Sequence, residues 1–290
     1  MKAEMGAIAI AGASGKLGQI VVRMLRDRHP DIPVVGLVRD REKGAVLAAL
    51  GAEVRHFDYN EPETLEPSLV GIEKLLLISG NAVGERERQH RAVIEAARKA
   101  GVGLIAYTSV LRASEATLAI ATEHKATEGV LAQVGVPYVL LRHGWYCENY
   151  VFRVQAAIKY GTFPTCGGNG LISAASRADF AEAAVAILTS ADDQTGKVYE
   201  LAGSSSFTFA DLAAEAERQS GRSVRCLQLP KTEFEAALVE IGLPAFVAAM
   251  IAKSDLGARD GGLFDESRTL EKVIGHRPTS ISAVIAEALE

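Results

Sequence analysis

The stretch AIAIAGASGKLGQIVV, residues 7–22, decides the fold of the N-terminal part of this chain. Three glycines, Gly12, Gly15 and Gly18, directly follow a short apolar run. Beyond the first two glycines, apolar side chains recur at the spacing of one helix face. These are Leu17, Val21, Met24 and Leu25. The stretch therefore predicts a strand, a glycine turn and an amphipathic helix.

Such a glycine turn is suited to holding a phosphate group. The first N–H groups of a helix are unpaired, and the helix dipole is positive there. Gly12 would allow the tight turn, Gly15 the approach of a pyrophosphate, and Gly18 close packing of the helix on the sheet. The spacing is GxxGxxG rather than GxGxxG, and an ordinary strand–helix turn is the alternative. The predicted dinucleotide-binding residues are Gly12, Ala13, Ser14, Gly15, Lys16, Leu17 and Gly18.

Apolar runs of strand length alternate with amphipathic stretches of helix length through the first half of the chain. Short, near-continuous runs of Val, Ile and Leu are typical of strands covered on both faces. The runs are AIAIAG at 7–12, VVGLV at 34–38, EVRHF at 53–57, KLLLIS at 74–79, GLIAYTS at 103–109 and PYVLLR at 137–142. The alternation predicts an α/β fold, a Rossmann-type doubly wound parallel sheet with a smaller α/β substrate lobe.

The regular alternation fades after about residue 145, and this change suggests how the chain is divided. Residues 1–145 are expected to form the dinucleotide-binding Rossmann core, to which residues 176–203 return. Residues 146–175 and 204–276 are expected to form the smaller substrate lobe, and residues 277–290 a C-terminal helix.

Composition argues against several classes of protein. The net charge is -5 and no basic cluster appears, so nucleic acid is not an expected partner. Three widely spaced cysteines support neither a disulfide framework nor a metal site. No apolar run approaches the roughly 20 residues of a membrane span. A soluble cytoplasmic protein is therefore expected, and a homo-oligomer is compatible with the sequence.

The densest run of charges is ERERQHR, residues 85–91, in which the signs alternate. Such a pattern is typical of a solvated helix start. Within it, His90 falls near the apolar stripe of the helix and is expected to have a structural role.

The end of the second predicted strand bears on the choice of nucleotide. About 20 residues past the glycine motif, an acid usually binds a ribose 2′-hydroxyl, whereas an arginine accommodates a 2′-phosphate. Here Arg39 ends the strand and Asp40 follows it. A guanidinium can fork onto a phosphate. Because Arg39 comes first and Lys16 lies within the motif, NADP(H) is favoured over NAD(H), with Asp40 as the competing indication.

A familiar catalytic pair is missing from this chain. Many carbonyl reductases of this shape use Tyr-x-x-x-Lys, in which the lysine lowers the tyrosine pKa for proton transfer. None of the seven tyrosines has lysine four residues later. His124 stands near the tyrosine position, Glu128 at the lysine position, and Ser109 at a strand end where a substrate could bind. The absence favours hydride acceptors that need mainly proximity to a nicotinamide, such as quinones or cationic dyes.

Several segments together resemble a known family. They are GASGKLG, KLLLISGN, IAYTS, LLRHGWYCENY, SRADFAEAA, KVYELAG and GGLFDESRTLEKVIGH. The chain resembles the NADPH-dependent quinone oxidoreductases of the NmrA-like, atypical short-chain dehydrogenase group, from about residue 7 to the C-terminus. Triphenylmethane dye reductases look like siblings, and redox-sensing regulators like more distant relatives.

The resemblance implies an enzyme that reduces a small-molecule quinone with NADPH by direct hydride transfer. A triphenylmethane-type dye reductase and a non-enzymatic NADP(H)-sensing regulator are the alternatives. By position, Arg39 would hold the 2′-phosphate. The ribose side would be lined by Ser79, Gly80 and Asn81, and the nicotinamide bordered by His143, Gly144, Trp145 and Tyr146.

No catalytic residue follows from the resemblance, and no metal is implied. Tyr146 and His124 are the two candidates for proton transfer to the product. A half-buried tyrosine with a bonded hydroxyl and a histidine on a helix surface are the competing readings. Trp145, the only tryptophan, could wall the acceptor pocket or pack between the lobes.

Overall fold

Strands and helices alternate as far as the ninth strand in the computed structural model, which describes residues 6–115 and 118–290, and helices alone follow that strand. The strands are β1 (Ala7–Ala11), β2 (Val34–Val38), β3 (Glu53–His56), β4 (Ile72–Leu77), β5 (Leu104–Val110), β6 (Tyr138–His143), β7 (Thr162–Thr165), β8 (Val198–Leu201) and β9 (Arg225–Gln228). The helices are α1 (Lys16–Arg28), α2 (Ala45–Ala49), α3 (Leu65–Ser68), α4 (Arg86–Lys99), α5 (Ala121–Val134), α6 (Glu148–Tyr160), α7 (Arg177–Thr189), α8 (Phe209–Ser220), α9 (Lys231–Glu240), α10 (Ala245–Arg259), α11 (Thr269–Ile274) and α12 (Ile281–Leu289).

The principal sheet has the strand order β3-β2-β1-β4-β5-β6-β8. Each neighbouring pair from β3 across to β6 is parallel. The chain moves outward on one side of β1 and then returns to start β4 on its other side. The order therefore reverses between β1 and β4, and ligands of open α/β sheets bind in the crevice outside the strand ends at such a point. The predicted doubly wound parallel sheet is confirmed.

The sheet is buried because its strands carry aliphatic residues on both faces. All five residues of β2 and all seven of β5 are buried. One face packs against α4 and α5, where a single apolar cluster includes Leu75, Val93, Tyr107 and Leu131. On the other side, α1 contacts β1 and β2 and packs against α7.

The chain divides into two compact units whose segments interleave along the sequence. The first unit holds the described residues up to Val110, Thr122–His143 and Arg177–Tyr199, and the second holds Leu111–Ala121, Gly144–Ser176 and Glu200–Glu290. Residues 111–115 and 118–121, which the sequence predicts to lie in the Rossmann core, group with the second unit. Within 6–115 and 118–290, no helix combines the length and apolarity that a membrane crossing requires.

The second unit is built around a buried ion pair. Arg153 on α6 and Asp255 on α10 make two hydrogen bonds of 2.8 and 3.0 Å. The Arg153 guanidinium also lies over the ring of Phe163, at 4.7 Å from its centroid. Thr165 donates to the same carboxylate at 2.6 Å. Because both charges are buried and hydrogen-bonded, removing one partner would leave an uncompensated charge in the core of this unit.

The glycine turn has the backbone geometry that its sequence predicts. Gly12 has φ +76°, a left-handed conformation that glycine adopts without a steric penalty. Gly18 lies in the first turn of α1, where an added Cβ would be 2.5 Å from the Gly12 carbonyl oxygen and 2.7 Å from the Ala13 Cα. Only glycine at position 18 lets α1 start this close to the strand end.

We expect Gly18→Ala to destabilise the protein by about 1–3 kcal/mol, since the new methyl group meets backbone atoms that cannot move aside. Gly129→Ala is the matched control, because Gly129 also lies in a helix but has open space around its Cβ position. That variant should be stabilised by about 0.5–1 kcal/mol through higher helix propensity. Urea unfolding followed by far-ultraviolet circular dichroism compares them, and equal stabilities would contradict the steric argument.

Candidate functional site

The N-terminus of α1 is open at the carboxyl edge of the sheet. Gly15 is the N-cap residue, and no side chain in the described part of the chain caps the helix. The turn is closed by a hydrogen bond from Gly15 N to Gly12 O at 3.0 Å, while Gln19 Nε2 donates to Ser14 O at 2.8 Å. Lys16 opens the helix and is exposed. The first-turn N–H groups are thus available to an anion.

A depression of about 540 Å³ lies at the end of β2 and is lined by Arg39, Asp40, Arg41, Glu42 and His56. Among the described residues, neither the Arg39 nor the Arg41 guanidinium has a hydrogen bond or ion pair. Two unpaired guanidinium groups at the mouth of a crevice are suited to a phosphate.

Asp40, the competing indication at this strand end, is engaged locally. Its Oδ1 accepts a hydrogen bond from Glu42 N at 3.0 Å, and its Oδ2 is 3.8 Å from Lys43 Nζ. The carboxylate therefore caps the short turn after β2. This arrangement favours Arg39 over Asp40 as the residue that contacts the nucleotide.

The loop after β4 is held at its start by two side chains. Ser79 N donates to Thr108 Oγ1 at 2.8 Å, and Gly80 N donates to His90 Nε2 at 3.0 Å. Asn81 is exposed. This loop leaves the sheet beside the crevice between β1 and β4, so its predicted residues lie on the same sheet edge as the glycine turn.

The predicted residues after β6 are divided between the two units. His143 ends β6 in the first unit, is buried, and stacks on Phe180 at 4.5 Å between ring centroids. Gly144 N donates to Leu201 O at 2.7 Å within the second unit.

The two aromatic residues of this segment belong to the second unit. Trp145 and Tyr146 are half-buried, and Ala175 N donates to Trp145 O at 3.1 Å. Tyr146 and Ala175 also form a parallel bridge. The contact of either residue with a nicotinamide stays a prediction.

His124 is buried, which corrects the expectation of a histidine on a helix surface. Its Nδ1 lies 2.8 Å from the Tyr107 hydroxyl, and the two rings are tilted at 5.9 Å. Because α5 packs on the sheet over β5, the first turn of the helix points this ring inward. His124 is therefore fixed by Tyr107 and is not a freely moving surface group.

Glu128, at the lysine position of the Tyr-x-x-x-Lys pattern, is fully engaged. Both of its carboxylate oxygens accept from Arg142, at 2.9 and 2.6 Å, and Ser109 Oγ donates to it at 2.5 Å. The hydroxyl group of Ser109, near the end of β5, is therefore bonded to this ion pair. The position that the lysine of the pattern would occupy therefore holds a carboxylate paired with Arg142.

Sequence reasoning missed several residues around the site. Arg41 and His56 line the depression beside Arg39, although only their spacing from β2 and β3 could have indicated this. The run ERERQHR is not wholly solvated, because Arg86 is buried, whereas the burial of His90 agrees with its expected place near the apolar stripe of the helix. Arg86 pairs with Glu123 at 2.8 Å, a partner 37 residues away that no local charge pattern reveals.

Three buried histidines near this sheet edge are held neutral. Burial, together with the charge of Arg86, lowers the pKa of His90 to about 3. Burial is also the main cause that lowers the pKa of His124 to about 3, and burial alone does so for His143. Burial also raises the pKa of Tyr107, so its hydroxyl stays protonated beside His124.

These shifts predict that stability falls as the pH drops. The unfolded chain binds protons below the ordinary histidine value of 6.5, whereas the folded chain excludes them until about pH 3. Each histidine therefore lowers the free energy of unfolding by about 1.4 kcal/mol for each pH unit below its unfolded pKa, and this stability is regained as the pH rises. Urea unfolding between about pH 7.5 and 5.5 measures the slope.

The matched variants for this slope are His90→Gln and His276→Gln. The first removes a buried ring and should flatten the dependence of unfolding free energy on pH. The second removes an exposed ring and should leave the dependence as in the wild-type protein. The same slope in all three proteins would contradict the account.

Comparison with known proteins now identifies the family. A sequence profile described as NAD(P)H-binding matches residues 12–191. The chain belongs to this NAD(P)H-binding family. The match begins at Gly12 and spans the first-unit residues that surround the crevice.

The chain is similar throughout its length to proteins of known activity. It is 48% identical to "Quinone oxidoreductase 2" of Escherichia coli (strain K12), with 96% of this chain and 97% of that protein covered. A crystal structure of the NADPH-dependent Escherichia coli quinone oxidoreductase complexed with NADPH matches with TM-score 0.94 at 47% identity, covering 98% of this chain and all of that one. Citrobacter sp. triphenylmethane reductase complexed with NADP(H) matches with TM-score 0.93 at 34% identity, covering 97% and 100%.

Proposed function

We propose that this protein is an NADPH-dependent quinone oxidoreductase. The single observation that carries the proposal is the 48% identity to a quinone oxidoreductase over nearly the whole length of both chains. The geometry of the first unit supports it independently, because the turn at Gly12–Gly18 and the depression at Arg39 fit two separated phosphate groups.

The fit to NADP(H) rests on features of the chain itself. No side chain in the described residues caps α1, and the turn before it has no room for a Cβ at position 18. The open first turn would hold the pyrophosphate. Arg39 and Arg41 are charged, unpaired with described residues, and placed at the end of the neighbouring strand β2. They would hold the 2′-phosphate.

When bound, the reduced nicotinamide supplies a hydride to a quinone, and a proton from solvent completes the hydroquinone. The residues of this chain bind the cofactor and orient it toward the acceptor. The α1 end and Arg39 fix the two phosphate groups, and the loop Ser79–Asn81 would contact the ribose. Trp145 and Tyr146 would wall the acceptor position. Holding both reactants together supplies the principal rate advantage.

The chain needs no dedicated acid for this reaction. Hydride addition to a quinone gives a resonance-stabilised anion, whereas ketone reduction builds an alkoxide that requires a positioned acid. The neutral His124 is bonded to Tyr107, and Glu128 is committed to Arg142 and Ser109. The arrangement therefore favours quinones over simple ketones as acceptors.

We expect enzyme-dependent loss of NADPH on addition of a simple benzoquinone, with enzyme-free mixtures as the blank. Arg39→Ala should raise the KM for NADPH about tenfold or more and leave that for NADH nearly unchanged, because only NADPH carries the 2′-phosphate. Arg98→Ala, an exposed arginine near the end of α4, is the control.

Three results would count against parts of this proposal. Equal effects of Arg39→Ala on NADPH and NADH would remove Arg39 from its role. Turnover with triphenylmethane dyes but not quinones would favour the dye reductase alternative. NADPH binding without turnover of either acceptor would favour a redox-sensing regulator.

A second prediction concerns the source of the proton. Replacing His124 by Gln or Tyr146 by Phe should leave kcat for benzoquinone within about threefold of the wild type, because solvent protonates the product. A general acid typically contributes about 100-fold or more. A loss of that size in one variant, with NADPH binding intact, would identify that side chain as the acid and overturn the solvent route.

A further inference from the structure

The loop between β4 and α4, residues 79–84, is fixed by side chains rather than by secondary structure. At its start, Thr108 and His90 accept hydrogen bonds from the N–H groups of Ser79 and Gly80. The loop is otherwise half-exposed or exposed to solvent. It leaves the sheet at the crevice where the strand order reverses, so its backbone conformation sets one wall of that crevice.

One partly buried ion pair holds the loop near both of its ends. Arg86 Nε donates to Gly80 O at 2.8 Å, and Arg86 Nη1 donates to Glu123 Oε2, also at 2.8 Å. The other oxygen of Glu123 accepts from Gly84 N at 2.6 Å. Glu123 belongs to the first turn of α5, so the loop is tied to a second helix as well as to its own. We call Arg86 and Glu123 the loop clamp.

The clamp is largely shielded from solvent. The Arg86 side chain is 7% exposed and that of Glu123 21%. Hydrogen bonds between ionised partners are about twice as strong as neutral ones, and partial burial protects them from screening by salt. Other ion pairs on the same helix, such as Arg91 with Glu87 at 3.3 Å, are largely exposed and do not reach the loop.

A second contact reinforces the clamp from the same helices. Because His90 Nε2 accepts from Gly80 N–H, the ring proton lies on Nδ1 and donates to Thr127 Oγ1 at 3.0 Å. Thr127 Oγ1 donates in turn to Glu123 O at 3.1 Å. Both peptide groups flanking Gly80 are thereby bonded, and the chain of bonds ends on the backbone of the clamp residue.

We propose that the clamp formed by Arg86 and Glu123 positions the loop at residues 79–84 for the dinucleotide, and that it sets cofactor affinity without touching the reacting atoms. The inference rests on the proposed function only in naming NADPH as the ligand. A loop that is already ordered loses less conformational freedom when the ligand binds. Arg86 and Glu123 are therefore positioning residues.

The test is the affinity of the purified protein for NADPH, measured by fluorescence titration without quinone. Glu123→Ala releases Gly84 N–H and Arg86 together, and should raise the Kd for NADPH about tenfold. Glu123→Gln keeps one acceptor and should recover part of that loss. Glu87→Ala, which breaks the exposed pair with Arg91, is the matched control and should bind as the wild type does.

Two further readouts separate positioning from a merely structural role. Glu123→Ala should raise the Kd for NADPH and the Kd for NADH by the same factor, because the clamp contacts the loop and not the 2′-phosphate. Arg39→Ala, by contrast, should weaken the binding of NADPH only. At saturating NADPH, kcat for benzoquinone should stay within about threefold of the wild type, because bound cofactor restores the loop.

The outcomes decide between the alternatives. Glu123→Ala and Glu123→Gln that are folded by circular dichroism and bind NADPH as tightly as the wild type would overturn the proposal. Should Glu123→Ala fail to fold, Glu123→Gln carries the same test. Binding is measured without quinone. A wild-type protein that binds NADPH but reduces no quinone would therefore contradict the proposed function, while the test of the clamp would remain valid.

Discussion

The close approach of α1 to the end of β1 is the constraint on which the rest of the site depends. Gly18 has no space for a side chain, since a Cβ there would meet the backbone of Gly12 and Ala13. This packing places the uncapped end of the helix at the carboxyl edge of the sheet, beside the point where the strand order reverses. The proposed binding of the pyrophosphate at the first turn of α1 depends on this geometry.

Around that edge, polar side chains are hydrogen-bonded to one another and are not free to act on a substrate. Glu128 is hydrogen-bonded to Arg142 and Ser109, and His124 is hydrogen-bonded to Tyr107. Such an edge can bind and orient a nicotinamide cofactor, yet it offers little acid catalysis. An acceptor that needs only a hydride and a solvent proton is suited to this arrangement, which links the packing of α5 to the substrate class.

The sequence predicted the parts of the fold that depend on local pattern. Strand-length apolar runs and the glycine spacing were sufficient for the parallel sheet and the turn at Gly12. It could not predict the buried state of Arg86 or His124, because each is set by a partner distant along the chain. Arg41 was missed for another reason, since its place in the depression depends on how the chain turns after β2. The roles of Trp145 and Tyr146 stay predictions.

The most direct test of the central claim is an anaerobic single-turnover measurement of hydride transfer. The preformed complex with NADPH would be mixed with a benzoquinone, and the loss of reduced nicotinamide absorbance compared with that of NADPH deuterated at the transferred position. The account predicts a fast, enzyme-dependent loss that slows severalfold on deuteration. A loss no faster than that without enzyme, although the complex has formed, would contradict it.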